Sequence, residues 1–340
     1  MSLLTRRSWF GLAATTLPAW ALPRSARAQT SRRPAVINGR RYLQYDVFTD
    51  TPLAGNQLAV FTETAGLTAA QMQAMTRETK FSECTFVQPP ELAGTDVRLR
   101  IFGPANEMPF AGHPVIGSAF ALADDGIIAA GKNEFTFGLG IGPTLVELEW
   151  QGDRLRFAWM TQQKPTYGPT FSAPPALAAA LGLDASALRP GVLPQEVSCG
   201  SAFMFVPLAS RAAVDQAAVD QAVVDTRAVA AAFESAKLTR RGLFIFSTEP
   251  GTDGATCYSR MMGANEDPAT GSASGPLGCY LVKHGLVSPD RASEIVSTQG
   301  VKMGRPSRIH IKLDLRGGEI TRVRVGGTSV LVGEGRLRAS

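Results

Sequence analysis

Short runs of β-branched and aromatic residues, punctuated by turn residues, dominate the chain from residue 40 onward. Tyr42–Phe48, Ser82–Val87, Val97–Phe102, Thr144–Trp150 and Leu155–Met160 read as strands. So do Phe203–Pro207, Gly242–Ser247, Ser307–Leu313 and Arg322–Val325. Thr68-Ala69-Ala70-Gln71 is a capping box, and it predicts a helix running to about Thr79. Strands and helices do not alternate as β-α-β units, so an α+β architecture rich in antiparallel pairs is expected. Pro165–Pro175, with Gly168, Pro169 and Pro174 inside it, reads as an interdomain linker.

The chain also repeats itself. At an offset of 159, Ala105-Asn106-Glu107-Met108-Pro109-Phe110-Ala111-Gly112 faces Ala264-Asn265-Glu266-Asp267-Pro268-Ala269-Thr270-Gly271, and seven identities fall in the 24 positions from Ala105 to Ile128. Each copy has a strand-like run, a polar N-E-x-P turn, a Gly, and then an apolar stretch that reads as a buried helix. Two copies half a chain apart predict two similar domains, 36–165 and 166–335, each holding one such helix. A second repetition, the period-five A-V-D-Q-A of Ala213–Asp225, reads as a surface helix and carries no chemistry.

Composition narrows the function. At 44% hydrophobic and 19% charged residues the chain can bury real cores. Its net charge of +5 does not mark a nucleic-acid binder, because Arg6, Arg7, Arg24 and Arg27 supply four of those charges within an acid-free stretch. That stretch, residues 1–28, reads as an export signal. It has a twin arginine before Ser8-Trp9-Phe10, an apolar run from Gly11 to Leu22, and an A-x-A site at Ala26-Arg27-Ala28. A periplasmic or secreted mature protein is therefore expected, with no membrane span, since no apolar run reaches the length a bilayer needs. Cys84, Cys199, Cys257 and Cys279 are scattered without metal-ligand spacing and read as packed thiols. With only His113, His284 and His310 in the chain, no metal site is expected.

Candidate chemistry gathers at the repeat. Unpaired N–H groups and a partial positive charge at a helix N-terminus suit a carboxylate, and two such ends occur, at Gly112-His113 and Gly271-Ser272. If both point into one cleft, a small anion held there meets His113 on one wall and Asp267 with Ser272 on the other. Glu83 lies in a short β-rich run, either on a solvated strand face or facing a pocket. In a pocket its carboxyl would be raised toward neutral pH and suit acid/base work. No G-x-S-x-G elbow, complete dinucleotide fingerprint or Walker lysine is present, so no cofactor is expected.

These residues resemble a known family. Asp46-Val47-Phe48-Thr49 with Pro52-Leu53-Ala54-Gly55-Asn56, then Ser82 to Val87, Asn106 to Pro114 and Glu266 to Ala273, are similar in order to the PhzF-like, phenazine-biosynthesis-type isomerases. The resemblance implies a diaminopimelate-epimerase-like α+β fold: two similar β-barrel domains, each around a central helix, with the active site in the interdomain cleft. It implies a homodimer and no cofactor. It gives Glu83 the role of proton-shuttling acid/base, makes His113 and Asp267 accessory polar groups, and makes Gly112, Gly271 and Ser272 contacts to a small carboxylate substrate. Cys84, where Ser or Thr is more usual, and the export signal depart from the family pattern. The function expected is a cofactor-independent isomerase. The alternatives are an exported small-carboxylate binding protein without turnover, and a racemase or epimerase of an amino-acid-like substrate. Racemisation by paired thiols is disfavoured, because neither Gly-rich turn holds a cysteine.

Overall fold

The computed structural model describes residues 38–217, 226–262 and 266–338. Residues 1–28, read above as an export signal, lie outside these residues. The first half contributes β1 (Arg40–Val47), β2 (Asn56–Phe61), β3 (Glu83–Gln88), β4 (Val97–Phe102), β5 (Glu107–Met108), β6 (Glu134–Leu139), β7 (Gly142–Gln151), β8 (Arg154–Gln162) and β9 (Thr166–Thr170). Its helices are α1 (Ala69–Thr79) and α2 (Gly112–Asp124). The second contributes β10 (Gln195–Ser198), β11 (Ala202–Pro207), β12 (Gly242–Ser247), β13 (Cys257–Met262), β14 (Ile295–Gln299), β15 (Ser307–Arg316), β16 (Glu319–Gly327) and β17 (Ser329–Leu337). Its helices are α3 (Pro174–Ala180), α4 (Arg211–Gln216), α5 (Thr226–Ser235) and α6 (Gly271–Lys283).

The repeat read in the sequence is also a repeat of topology. From β1 to β8, omitting β5, successive neighbours pair antiparallel, parallel, antiparallel, parallel, antiparallel, antiparallel. From β10 to β16 the order of senses is the same. In each half the second parallel crossover runs through the central helix, α2 or α6, and these two helices have equal lengths and stand 159 residues apart. The halves are stitched reciprocally. Strand β9 leaves the first half to pair with β10, β17 leaves the second to pair with β1, and β8 pairs with β16 between them.

Both central helices are apolar on almost every side, as a helix enclosed by strands must be. Every residue of α2 from Gly112 to Leu122 is buried. Its core includes Val115, Ile116, Ala119 and Phe120 against Val47, Leu58 and Met160. Around α6 the core joins Leu277 and Tyr280 to Phe205, Phe246 and Ile311. A third cluster packs α3, α4 and α5 onto β11, β12 and β13. No helix among the described residues is long and apolar enough to cross a membrane.

Two local expectations are corrected. Pro165–Pro175 is not a free linker, because Thr166–Thr170 is strand β9. Its Gly168 lets the Glu196 side chain lie close, where a Cβ would meet it at 3.0 Å. The A-V-D-Q-A stretch begins on α4 with Ala213 and Val214 buried rather than on the surface. Residues 218–225 of that stretch lie outside the described residues.

Candidate active site

Gly112 and Gly271 open the two central helices, and there the two halves touch. A Cβ on Gly112 would overlap the backbone of Gly271 and Ser272, while one on Gly271 would meet Gly112 Cα and Phe48 Cζ at 3.0 Å. Only a residue without a side chain permits this approach. Neither helix has a side-chain N-cap, and neither first turn carries an acid. Two positive helix ends therefore face each other with neither capped by a side chain nor carrying an acid in its first turn, a setting that favours a bound carboxylate.

Glu83 reaches this junction from the first position of β3, beside Leu58 of the parallel strand β2. Its neighbour Cys84 points to the opposite face by strand alternation, and its sulfur meets Thr79 Oγ1 at 3.2 Å. His113, the second residue of α2, places Nε2 3.0 Å from Glu83 Oε2. The approach is close, but its angle is not that of a hydrogen bond, and both atoms are buried without another partner. Asp267 forms an isolated bridge with Met261, the counterpart of β5 in the second half. Thr270 Oγ1 donates to its Oδ2 at 2.7 Å, and Gln299 Nε2 to its carbonyl at 2.7 Å. Ser272 follows Gly271 in the first turn of α6 and is half-buried. All six residues singled out in the sequence thus meet where the halves join.

Burial decides the protonation states. It pushes His113 down to about 3 against a hydrogen bond with the Gln57 backbone, so the ring is neutral. It pushes Glu83 up to about 8. The negative charge of Asp267 adds to this effect, and a hydrogen bond from Ser82 opposes it. Burial also raises Asp267, against hydrogen bonds from Thr270 and Asn56 that favour the anion. Two carboxyls whose surroundings hold them near neutral pH, beside a neutral imidazole, can accept and return a proton without a large energetic mismatch.

Sequence reasoning did not single out Asn56, Ser82, Thr270 or Gln299. Asn56 follows a Gly and reads as a turn residue, as Gln299 does before Gly300. Their partners lie far off in sequence, so no local signal exposes their roles. The four cysteines are all buried and unpaired, and none lies in either helix-opening turn.

The fold is of the α+β, epimerase-like kind, and the relatives that share it are isomerases and epimerases. The chain belongs to the family described as phenazine biosynthesis-like protein, PhzC-PhzF, which matches residues 45–335. It is 36% identical over 297 residues to trans-2,3-dihydro-3-hydroxyanthranilate isomerase of Pseudomonas aeruginosa, covering 87% of this chain and 98% of that one. Among solved structures it is similar to a predicted epimerase of the same organism, at 32% identity and TM-score 0.72, covering 88% of this chain and 100% of the other. A phenazine biosynthesis protein of the PhzF family from Bacillus anthracis shares the fold at 22% identity and TM-score 0.76, with 88% and 99% coverage.

Proposed function

We propose that this protein is a cofactor-independent isomerase that moves a proton between two carbons of a small carboxylate substrate, with Glu83 as the acid/base. The observation that carries this reading is the burial of Glu83 against neutral His113 and near Asp267, beside two uncapped helix N-termini. The substrate carboxylate sits at those helix ends, held by backbone N–H groups next to Gly112, Gly271 and Ser272. Ionised Glu83 takes a proton from a carbon made acidic by a neighbouring electron-withdrawing group, and the electron pair shifts along the conjugated system. The protonated carboxyl then returns the proton to a second carbon, so the enzyme is regenerated and no redox change occurs. His113, neutral and immobile, fixes the position of the carboxyl and excludes water from it.

The Pseudomonas relative supports a cyclic amino-substituted carboxylate as substrate. The arginine pair and A-x-A site of residues 1–28 support an enzyme working outside the cytoplasm, and the family supports a homodimer. A Glu83→Gln enzyme keeps the shape of the site but cannot cycle a proton, so solvent deuterium should enter the substrate ~10²–10⁴-fold more slowly. Undiminished incorporation would remove Glu83 from the mechanism.

A further inference from the structure

One buried amide touches two of the three titratable groups of the site and the hydroxyl that precedes the third. Asn56, the first residue of β2, is 1% exposed. Its Nδ2 donates to Asp267 Oδ1 at 2.6 Å and to Ala269 O at 3.0 Å, and lies 3.0 Å from His113 Nδ1. Its Oδ1 accepts from Ser82 Oγ at 3.2 Å. The amide can face only one way, because a carboxylate and a carbonyl both require a donor at the end that meets them.

The backbone fixes Asn56 from both halves. Gly55, at φ 65°, makes the turn that a Cβ would block against Val47 O and Thr49. Arg305 of the second half donates to Gly55 O at 2.8 Å and Ala54 O at 2.7 Å, while pairing at 2.6 Å with buried Asp46. Gly55 N donates to Pro306 O at 3.1 Å.

We propose that Asn56 is a positioning residue. It ties Asp267 of one half to His113 of the other, and it competes with Glu83 for the Ser82 hydroxyl proton. The proposal rests on Glu83 being the acid/base. A hydroxyl has one proton to give. Asn56 Oδ1 and the Glu83 carboxylate compete for that one proton, so the more Ser82 donates to Asn56, the less it stabilises the Glu83 carboxylate and the more readily Glu83 keeps its own proton. The amide proton that Asn56 gives Asp267 favours the anion of that group, and its charge acts on Glu83 in the same direction. The charged and titratable groups facing Glu83 are His113 from α2 and Asp267 from the bridge before α6, so Asn56 touches both.

Carboxyl 13C NMR titration of protein labelled at the glutamate side-chain carboxyl tests this without turnover, with the Glu83 signal identified by its loss in Glu83→Gln. Asn56→Ala frees Ser82 and weakens the Asp267 charge, so the Glu83 midpoint should fall by about one pH unit, a tenfold loss of proton affinity. Asn56→Asp keeps the acceptor for Ser82 and adds a negative charge, so the midpoint should rise. Loosened packing would not give opposite signs. Adding Ser82→Ala to Asn56→Ala should reverse part of the fall. An unmoved midpoint in folded Asn56→Ala and Asn56→Asp would overturn the proposal. If Asn56→Ala does not fold, Asn56→Asp decides alone: a rise supports the proposal and no change ends it. A Glu83→Gln enzyme that still exchanged deuterium would defeat the proposed reaction while leaving the titration result standing.

Discussion

Glu83 Oε2 lies 3.0 Å from His113 Nε2, yet near neutral pH the contact joins two mostly uncharged groups rather than an ion pair. Burial accounts for both halves of that statement, because it disfavours whichever form of each group carries charge. The pair therefore costs little to hold in the core while the carboxyl keeps its proton.

Stability should record this arrangement. Glu83 is raised in the folded state, from 4.5 to about 8, so the folded protein binds this proton more tightly than the unfolded chain. Its contribution is fully present below pH 4.5 and is lost as pH rises through about 8. His113 is depressed from 6.5 to about 3, so its contribution is present above pH 6.5 and is lost as pH falls toward 3. Thermal melting of the wild type and Glu83→Gln between pH 5 and 9 isolates the first effect. The wild type should lose ground to the variant as pH rises, by on the order of a few kcal/mol. A pH-independent difference would show that Glu83 does not titrate in this range.

The helix junction makes a steric prediction. Gly112→Ala places a methyl group against the backbone of Gly271 and Ser272, where no flexible side chain can yield. The helices must move apart, at a cost of about 1–3 kcal/mol, and proton exchange should fall with them. Gly103→Ala is the control, because its nearest neighbour outside the adjoining residues is 3.7 Å from the added carbon and its φ is ordinary. Equal melting temperatures for the two variants would mean that the close approach of the helices contributes no stability.

Much of this architecture was legible in the sequence. Local rules govern α1, whose capping box closes as written at Thr68 and Gln71. They also govern Val97–Phe102 and Gly242–Ser247, which are strands β4 and β12 residue for residue. The offset of 159 located both central helices, because their N-E-x-P turns and apolar runs share one structural task. Strands β2, β13 and β14 escaped notice, as did β6, β10 and β17. In β2, β13 and β14 burial removes the alternation that marks a half-exposed strand. Strand β9 reads as punctuation because Gly168 and Pro169 sit inside it. Asn56 and Asp267 are 211 residues apart, and only the reciprocal exchange of β9 and β17 and the pairing of β8 with β16 bring such positions together.

The export reading is open to a direct test. Twin-arginine passage depends on the guanidinium pair rather than on positive charge alone, so Arg6→Lys with Arg7→Lys should leave full-length protein in the cytoplasm. Processed protein appearing outside the cytoplasm despite both changes would show that another route is used.

A binding protein and an isomerase built on this site differ in what they do to carbon-bound hydrogen. Both would hold a small carboxylate at the helix ends near Gly112 and Gly271. Only the isomerase uses ionised Glu83 to remove a proton, and with a carboxyl at about 8 that form is scarce in acid. Exchange of an acidic C–H for deuterium should therefore accelerate about tenfold per pH unit from pH 5 and level off near 8, as the ionised fraction saturates. His113 does not add a second limb in this range, because it is already neutral. Incubating cyclic amino-substituted carboxylates in deuterated buffer, with mass spectrometry as the readout, covers the range in one series. A ligand that binds tightly and carries an acidic C–H, but shows no exchange at any pH in that range, would identify the helix junction as a binding site without turnover. Exchange that is flat with pH would mean that a group other than Glu83 carries the proton.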